Sequence, residues 1–516
     1  MTTATAPAPA AARLVDGSLV HRARRLYIDS GQEAVVYLHR DSQLCRSEGF
    51  ESETRVWVRI GTRAILATLN VITGGLLAVS EVGLSESAWA RLGAADGSTV
   101  EFAHPLPLES LRHVRAKIHG ERLDAPALES VVNDIAAGYY SDINLAAFLT
   151  ACAGDRLDRR EMIDLTRAMI ASGERLQWER RPAMDKHSVG GLPGNRTTLL
   201  VVPIVTAAGV LMPKTSSRAI TSPAGTADTM EMLAPVDLDV PTMRRVVNQE
   251  GGCIVWGGTA HLSPADDVLI RVERPLDLDS VGQLVASVLS KKAAAGATDV
   301  LIDIPVGPTA KVRSVAAAKR LCGNFRAVGQ EVGLKVLPVL TDGTQPVGHG
   351  IGPALEAWDV LAVLRGDPDA PPDLRERGLL LAGHILELAE VVPAGGGQAL
   401  AREILQDGRG WGKFQAICRA QGGMREPPRA PFTRPFNATG AGRVVRIDNR
   451  RLARVAKLAG APRDSSAGLV LHARVGNRVE AGQPLFTLHA EAKGELEYAM
   501  AYAMGGGEII ALEENV

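Results

Sequence analysis

Val300-Leu301-Ile302-Asp303-Ile304-Pro305-Val306-Gly307-Pro308-Thr309-Ala310-Lys311 carries the chain from an apolar run into a Gly/Pro-rich loop. Behind the loop Val315, Ala318, Cys322, Phe325, Val328 and Val332 recur at spacings of three and four. A short β-branched run followed by a helical period predicts strand, loop and helix in that order. Val336 to Leu340 repeats the strand, Thr341-Asp342-Gly343-Thr344-Gln345-Pro346-Val347-Gly348-His349-Gly350 repeats the loop, and a helix is predicted from about Pro353. This alternation specifies a parallel α/β sheet, which takes its ligands at the carboxyl ends of its strands.

Two earlier loops share the pattern: Asp185-Lys186-His187-Ser188-Val189-Gly190-Gly191, and Lys214 through Ser222. Gly lets a backbone approach a ligand, N–H groups opening a helix attract anions, and Lys supplies a compact positive charge. In the second loop Ser216, Ser217, Thr221, Ser222 and Thr226 place five hydroxyls within eleven residues, beside Lys214 and Arg218. Asn195-Arg196-Thr197-Thr198 opens an apolar helix behind the first loop. Three such loops at one sheet edge form a phosphate cradle without a Walker motif. His187 suits either a general acid or a histidine bonded to its own loop. Asp279, ahead of the helical Ser280 to Ala295, suits either an N-cap or a proton donor. Ser287 and Lys291 lie one turn apart and can face one ligand, although Lys291 also suits a solvated face.

The 516 residues are too many for one core and predict about three or four domains. Net charge is −1, so no whole-chain field recruits nucleic acid or anionic membrane. The longest apolar run, Leu199 to Met212, is broken by Pro203, Thr206 and Gly209 and is too short to span a bilayer. It predicts a buried helix leading into a strand. Five scattered cysteines without a CxxC pair predict reduced thiols, with neither disulfides nor a zinc site. An Ala/Pro/Thr-rich start without an apolar signal core predicts a disordered tail on a cytoplasmic protein.

Working outward, residues 1–14 form that tail and 15–105 a β-rich, barrel-like domain. Its strands are expected at Arg25–Ile28, Ala34–Leu38, Arg55–Val58, Ala64–Ala67 and Thr99–Phe102, with a helix capped by Ser85 and stopped by Gly93. Residues 106–178 plus 262–296 form a helical domain, including helices opened by Asp124 and by the Asp158/Glu161 capping box, the latter stopped by Gly173. Residues 179–261 plus 297–425 form the α/β phosphate-binding domain, and 430–516 a C-terminal α+β, hammerhead-like domain. Val475 to Phe486 resembles biotin and lipoyl carriers, but Lys493 lies in no tight hairpin, so an accessory structural role is expected.

Asp185-Lys186-His187-Ser188 with its Gly pair, Ser216 through Asp228, Ala286-Ser287-Val288-Leu289-Ser290-Lys291-Lys292, and Thr341-Asp342 with Gln345-Pro346 resemble, in order, the thymidine phosphorylase family. The extra N-terminal domain, the Leu192-Pro193-Gly194-Asn195 turn and Ser217 to Ser222 resemble most the subgroup that holds AMP phosphorylase and the bacterial enzymes called putative thymidine phosphorylases. The resemblance implies a nucleoside phosphorylase-type fold: a helical domain plus a large α/β domain. It implies reversible phosphorolysis of an N-glycosidic bond in a nucleoside or nucleoside 5'-monophosphate, in a homodimer or larger homo-oligomer. No cofactor or metal is implied, inorganic phosphate being a co-substrate. Carried over by position, Lys186, Ser188, Ser216 and Thr226 would hold phosphate. Gly191, Ser217, Arg218, Ala219, Ile220, Thr221, Ser222, Ser287 and Lys311 would contact the nucleoside or nucleotide, with Lys291 and Arg271 facing the base. Asp279 falls at the proton donor. An anthranilate-type phosphoribosyltransferase, which would need pyrophosphate and Mg²⁺, and a non-catalytic nucleotide-binding protein are the alternatives.

Overall fold

The computed structural model describes residues 21–31, 33–47, 51–52, 55–219, 222–260, 262–276, 278, 280–505 and 507–513. The expected N-terminal tail lies outside them. The chain groups into two compact units, Met1–Cys152 with Val268–Leu278, and Ala153–Asp267 with Asp279–Val516.

In the smaller unit a closed barrel runs, in ring order, through His21–Arg25, Glu81–Leu84, Val35–His39, Arg63–Ile72, Arg55–Ile60 and Thr99–Ala103. Val36, Leu38, Val58, Leu69, Val82 and Leu84 fill it. The first strand lies earlier than its expected Arg25–Ile28, because Tyr27 takes φ 57° and leaves the extended conformation a ladder needs. The strand Glu81–Leu84 has no clear sequence signal, being short and containing Gly83. The helix Glu86–Leu92 is capped by the Ser85 side chain and ends at Gly93 with φ 58°, both as predicted. The helix Ala125–Ala136 begins at Asp124, whose carboxylate accepts the Ala127 N–H.

The larger unit opens with the helix Arg159–Ala171, which has the predicted capping box of Asp158 and Glu161. Its C-cap is Ser172 rather than Gly173. Gly173 serves close packing instead, since a Cβ there would lie 2.5 Å from Leu262 O. The parallel ladder Lys335–Asp342, Asp299–Val306, Met184–Ser188 forms one part of the sheet, and Met212–Ser216 with Gly252–Trp256 forms the other. They join through the bridge Ala183–Leu211 and the bond from Met184 N to Leu211 O, 2.8 Å. From the strand Met184–Ser188 the next two strands in sequence step to one side and the last two to the other. The order therefore reverses between Met184–Ser188 and Asp299–Val306, the place where such sheets bind ligands, and the sparsely bonded seam to Met212–Ser216 lies on the other side of the central strand.

The apolar run forms the buried helix Thr198–Ala207 and the strand Met212–Ser216, as predicted. The helix Val315–Glu331 buries Ala318, Cys322, Phe325 and Val328, but Val315 in its first turn is exposed. In the C-terminal region two sheets enclose Leu452, Val455, Phe486 and Leu488. Lys493 begins the helix Lys493–Gly505 and stands over the Phe432 ring. No described helix is long and apolar enough to cross a membrane.

Gly194, in the turn after the strand Met184–Ser188, has φ 73°, and a Cβ there would overlap the Val347 carbonyl. Gly194→Ala is expected to cost about 2–4 kcal/mol from backbone strain and overlap together. Thermal unfolding checks this; a Tm equal to the parent's would show that the turn has another conformation.

Candidate functional site

Lys186 occupies the central strand and is 1% exposed. Its ammonium donates to Ser188 Oγ at 2.6 Å, Thr197 Oγ1 at 2.7 Å and Thr198 Oγ1 at 3.4 Å. Burial pulls its pKa down to about 8, against the opposing pull of Asp303. Asp303, on the adjacent strand and fully buried, collects the surrounding donors. Its Oδ2 accepts from Ser188 Oγ at 2.7 Å and Asn195 Nδ2 at 3.1 Å, and its Oδ1 from Thr341 Oγ1 at 2.6 Å. Arg377 Nη1 donates to the same threonine at 3.3 Å. Asp303 sits inside an apolar run and is absent from the residues expected at the site. A lone carboxylate in a strand buried on both faces was the available signal.

Strand alternation sends Asp185 and His187 to the opposite face from Lys186. Asp185 lies 3.3 Å from Lys214 Nζ and 2.9 Å from Lys292 Nζ, all three being buried. Burial brings Lys292 down to about 7, partly offset by Asp185 and reinforced by Lys214. His187 is held well below the usual imidazole range by burial first, and then by Lys292, Lys214, Lys291 and Lys186. At neutral pH it is therefore an uncharged ring, able to exchange hydrogen bonds but storing no extra proton.

In the second loop Ser216 Oγ donates to Val255 O at 3.1 Å. Arg218 is engaged by Glu231 at 2.5 and 3.1 Å, lies 3.4 Å from both Asp228 and Asp237, and stands over the Trp256 ring. Its pKa is raised, chiefly by the hydrogen bond to Glu231. Asp228 Oδ2 accepts from Ala219 N at 2.7 Å and Gly225 N at 2.8 Å, closing the loop on itself. Ser217 joins that closure through its backbone, its carbonyl accepting from Ala227 N at 3.3 Å. Ser222 Oγ donates to Ala224 O, and Thr226 opens the helix Thr226–Glu231. Ile220 and Thr221 lie outside the described residues. Buried Arg196, after the first loop, pairs with Glu356 and donates to Ala224 O, so the two loops share an anchor.

Gly191, with φ 92°, lies against the third loop: a Cβ on it would stand 3.1 Å from Lys311 N. Ser287 and Lys291 meet directly, Lys291 Nζ donating to Ser287 Oγ at 3.0 Å and to buried Asp266 at 2.7 Å. The helix Val281–Ala294 is capped by Ser280, whose side chain accepts the Gln283 N–H. Asp279 itself lies outside the described residues. Arg271 belongs to the smaller unit, where its Nη2 is 2.7 Å from Asp142 Oδ1.

Asp303→Asn is expected to cost about 3–5 kcal/mol at pH 7, because Lys186 would remain buried without its counter-charge. A lysine with a lowered folded-state pKa binds fewer protons folded than unfolded, so stability rises with pH between the two values. Losing Asp303 lowers the Lys186 value further below the parent's 8, so the deficit should shrink as pH rises from about 6 to 8 and stay level above that. Chemical denaturation at both ends of that range checks this, and a pH-independent deficit would contradict it.

Residues 180–410 match the family description "Glycosyl transferase family, a/b domain", and 112–173 match "Glycosyl transferase family, helical bundle domain". Residues 443–508 match "Pyrimidine nucleoside phosphorylase C-terminal domain". The chain is 62% identical over 494 residues to "Putative thymidine phosphorylase" of Polaromonas sp., covering 96% of this chain and 97% of that one. It is 64% identical over 478 residues to "Putative thymidine phosphorylase 1" of Acidovorax sp., covering 93% and 94%. It is 57% identical over 494 residues to "Putative thymidine phosphorylase" of Legionella pneumophila, covering 96% of each. Among solved structures, anthranilate phosphoribosyltransferase from Thermus thermophilus matches with TM-score 0.51 and 22% identity, over 60% of this chain and 98% of that one, a likeness of fold. With the sheet, its loops and nearly the full length of these relatives in agreement, the chain belongs to the thymidine phosphorylase family of glycosyl transferases.

Proposed function

We propose that this protein is a pentosyltransferase that cleaves the N-glycosidic bond of a nucleoside or nucleoside 5'-monophosphate with inorganic phosphate. The observation that carries the reading is the buried Lys186 ammonium among three hydroxyls at the carboxyl end of the central strand. A desolvated cation with adjacent hydroxyl donors suits a phosphate dianion. In this reading Ser216 and Thr226 complete the phosphate site, and Gly191, Ser217 to Ser222, Ser287 and Lys311 contact the sugar and its substituents.

Phosphate oxygen attacks the anomeric carbon as the C–N bond breaks, and the electron pair leaves on the base. Positive charge on the sugar ring is offset by the phosphate, and negative charge on the base requires a proton or a fixed cation. A purine leaves as the protonated base, with Asp279 as donor. A pyrimidine can leave as an anion beside Lys291. His187, uncharged, orients a polar edge of the base rather than protonating it. Exclusion of water from the site favours phosphorolysis over hydrolysis. The reading also takes the protein to be cytoplasmic, homo-oligomeric and free of cofactors. The alternative of a phosphoribosyltransferase is supported by fold likeness alone, whereas the C-terminal match and the relatives favour a nucleoside phosphorylase.

The deciding assay is phosphate-dependent base release from AMP, CMP, UMP, thymidine and uridine; release without phosphate, or from none of them, overturns the reading. Lys186→Ala should raise KM for phosphate by about tenfold or more, equivalent to about 1.4 kcal/mol. In the parent enzyme KM for phosphate should rise as pH passes about 8, where Lys186 loses its proton. A profile flat to pH 9.5 would remove Lys186 from phosphate binding. Asp279→Asn should abolish most purine release while sparing thymine release, and equal losses would assign Asp279 a structural role.

A further inference from the structure

Two loops of this site are fastened by residues from the C-terminal region rather than by the sheet alone. Thr309 Oγ1, in the loop that ends at Lys311, accepts from Asn449 N at 3.2 Å and Asn449 Nδ2 at 3.0 Å. The same Nδ2 donates to Gly343 O at 3.0 Å, in the loop after the neighbouring strand. Asn449 is fully buried and begins the helix Asn449–Leu458. The loops already touch there, since Gly343 N donates to Val306 O at 2.9 Å. Asn449 thus closes a junction between two glycine-containing segments that side-chain packing cannot stiffen.

A second fastening lies further along the same loop. Arg474 donates to Pro346 O at 2.7 Å and to Gly348 O, and pairs with Asp373 at 3.0 Å. Val475 N donates to Gln345 Oε1 at 2.9 Å. The loop so held starts next to Thr341, whose hydroxyl binds the Asp303 carboxylate that holds Ser188 and Asn195. The other loop ends at Lys311, whose backbone lies against Gly191. Both chains of contact run from the C-terminal region to the Lys186 pocket.

We propose that Asn449 and Arg474 are positioning residues through which the C-terminal domain fixes the Lys311 and Thr341 loops around the phosphate pocket. Neither residue need touch substrate; their donors set where the loop carbonyls and Thr309 stand. The identity of the pocket's ligand rests on the phosphorolysis reading, but the fastening itself does not.

The test uses the full chain and the variants Asn449→Asp, Arg474→Ala and Arg474→Lys. Asn449→Asp keeps side-chain size and removes the Nδ2 donors, while Arg474→Lys keeps the charge. Amide hydrogen exchange should accelerate at least tenfold across 307–311 and 341–348 in Asn449→Asp and Arg474→Ala, with 452–456 and 484–490 as protected as in the parent. Inorganic phosphate should bind at least fivefold more weakly by calorimetry, KM for phosphate should rise more than kcat falls, and Arg474→Lys should recover part of each change. Unchanged loop exchange overturns the proposal. Acceleration throughout 430–516 also overturns it, by showing that the residues only stabilise their own domain. A parent that binds phosphate but releases no base fails the phosphorolysis reading and leaves this one standing. In a parent that binds no phosphate, the loop exchange alone decides.

Discussion

The buried ammonium of Lys186 and the buried carboxylate of Asp303 impose a condition on everything around them. Neither charge tolerates burial unless its hydrogen-bonding capacity is met with good geometry. They meet it through shared intermediaries: Ser188 accepts a hydrogen bond from the lysine and donates one to the carboxylate. Asn195 and Thr341 bring in the two loops that flank this pair. The loops at the sheet edge are therefore arranged around one charge balance, and their conformations are coupled through it. Any anion that reaches Lys186 has to replace hydroxyl contacts that the lysine already makes.

On the other face of the same strand the balance is different. Asp185 faces two lysines, so one positive charge is in excess among buried groups, and burial lowers Lys292 to about 7. His187 stands in that excess field and gives up its charge first. A five-residue strand thus separates a lysine balanced by hydroxyls and a carboxylate from a cluster that repels protons. That separation is a reason to look for the proton of the leaving base outside this strand.

Much of this architecture can be read from local sequence because its causes are local. The caps at Ser85, Asp124 and Asp158 each bond an N–H three residues on, and Ser287 and Lys291 are neighbours by helical pitch. What escapes reading depends on partners distant in sequence. Asp303 looks like an interruption of an apolar strand until Ser188, Asn195 and Thr341 stand beside it. Asp185, Lys214 and Lys292 lie on three separate elements, and nothing in their spacing announces a cluster. Gly173 looks like a helix stop, yet the constraint it answers is the Leu262 carbonyl. Arg218 looks like a free cation beside hydroxyls, whereas Glu231 and its acidic neighbours already engage it.

The seam in the parallel sheet has a mechanical consequence. Elsewhere neighbouring strands are spaced by ladders of backbone bonds, which are short-ranged and barely sensitive to solution conditions. Between Met184–Ser188 and Met212–Ser216 the backbone is joined at the base, through Ala183, Met184 and Leu211. Farther up, Lys214 is drawn to Asp185 across the gap, while Lys292 of the helix Val281–Ala294 pairs with the same carboxylate. The spacing at the seam thus depends in part on an electrostatic balance, which varies with protonation, where an ordinary sheet would have a fixed rung length.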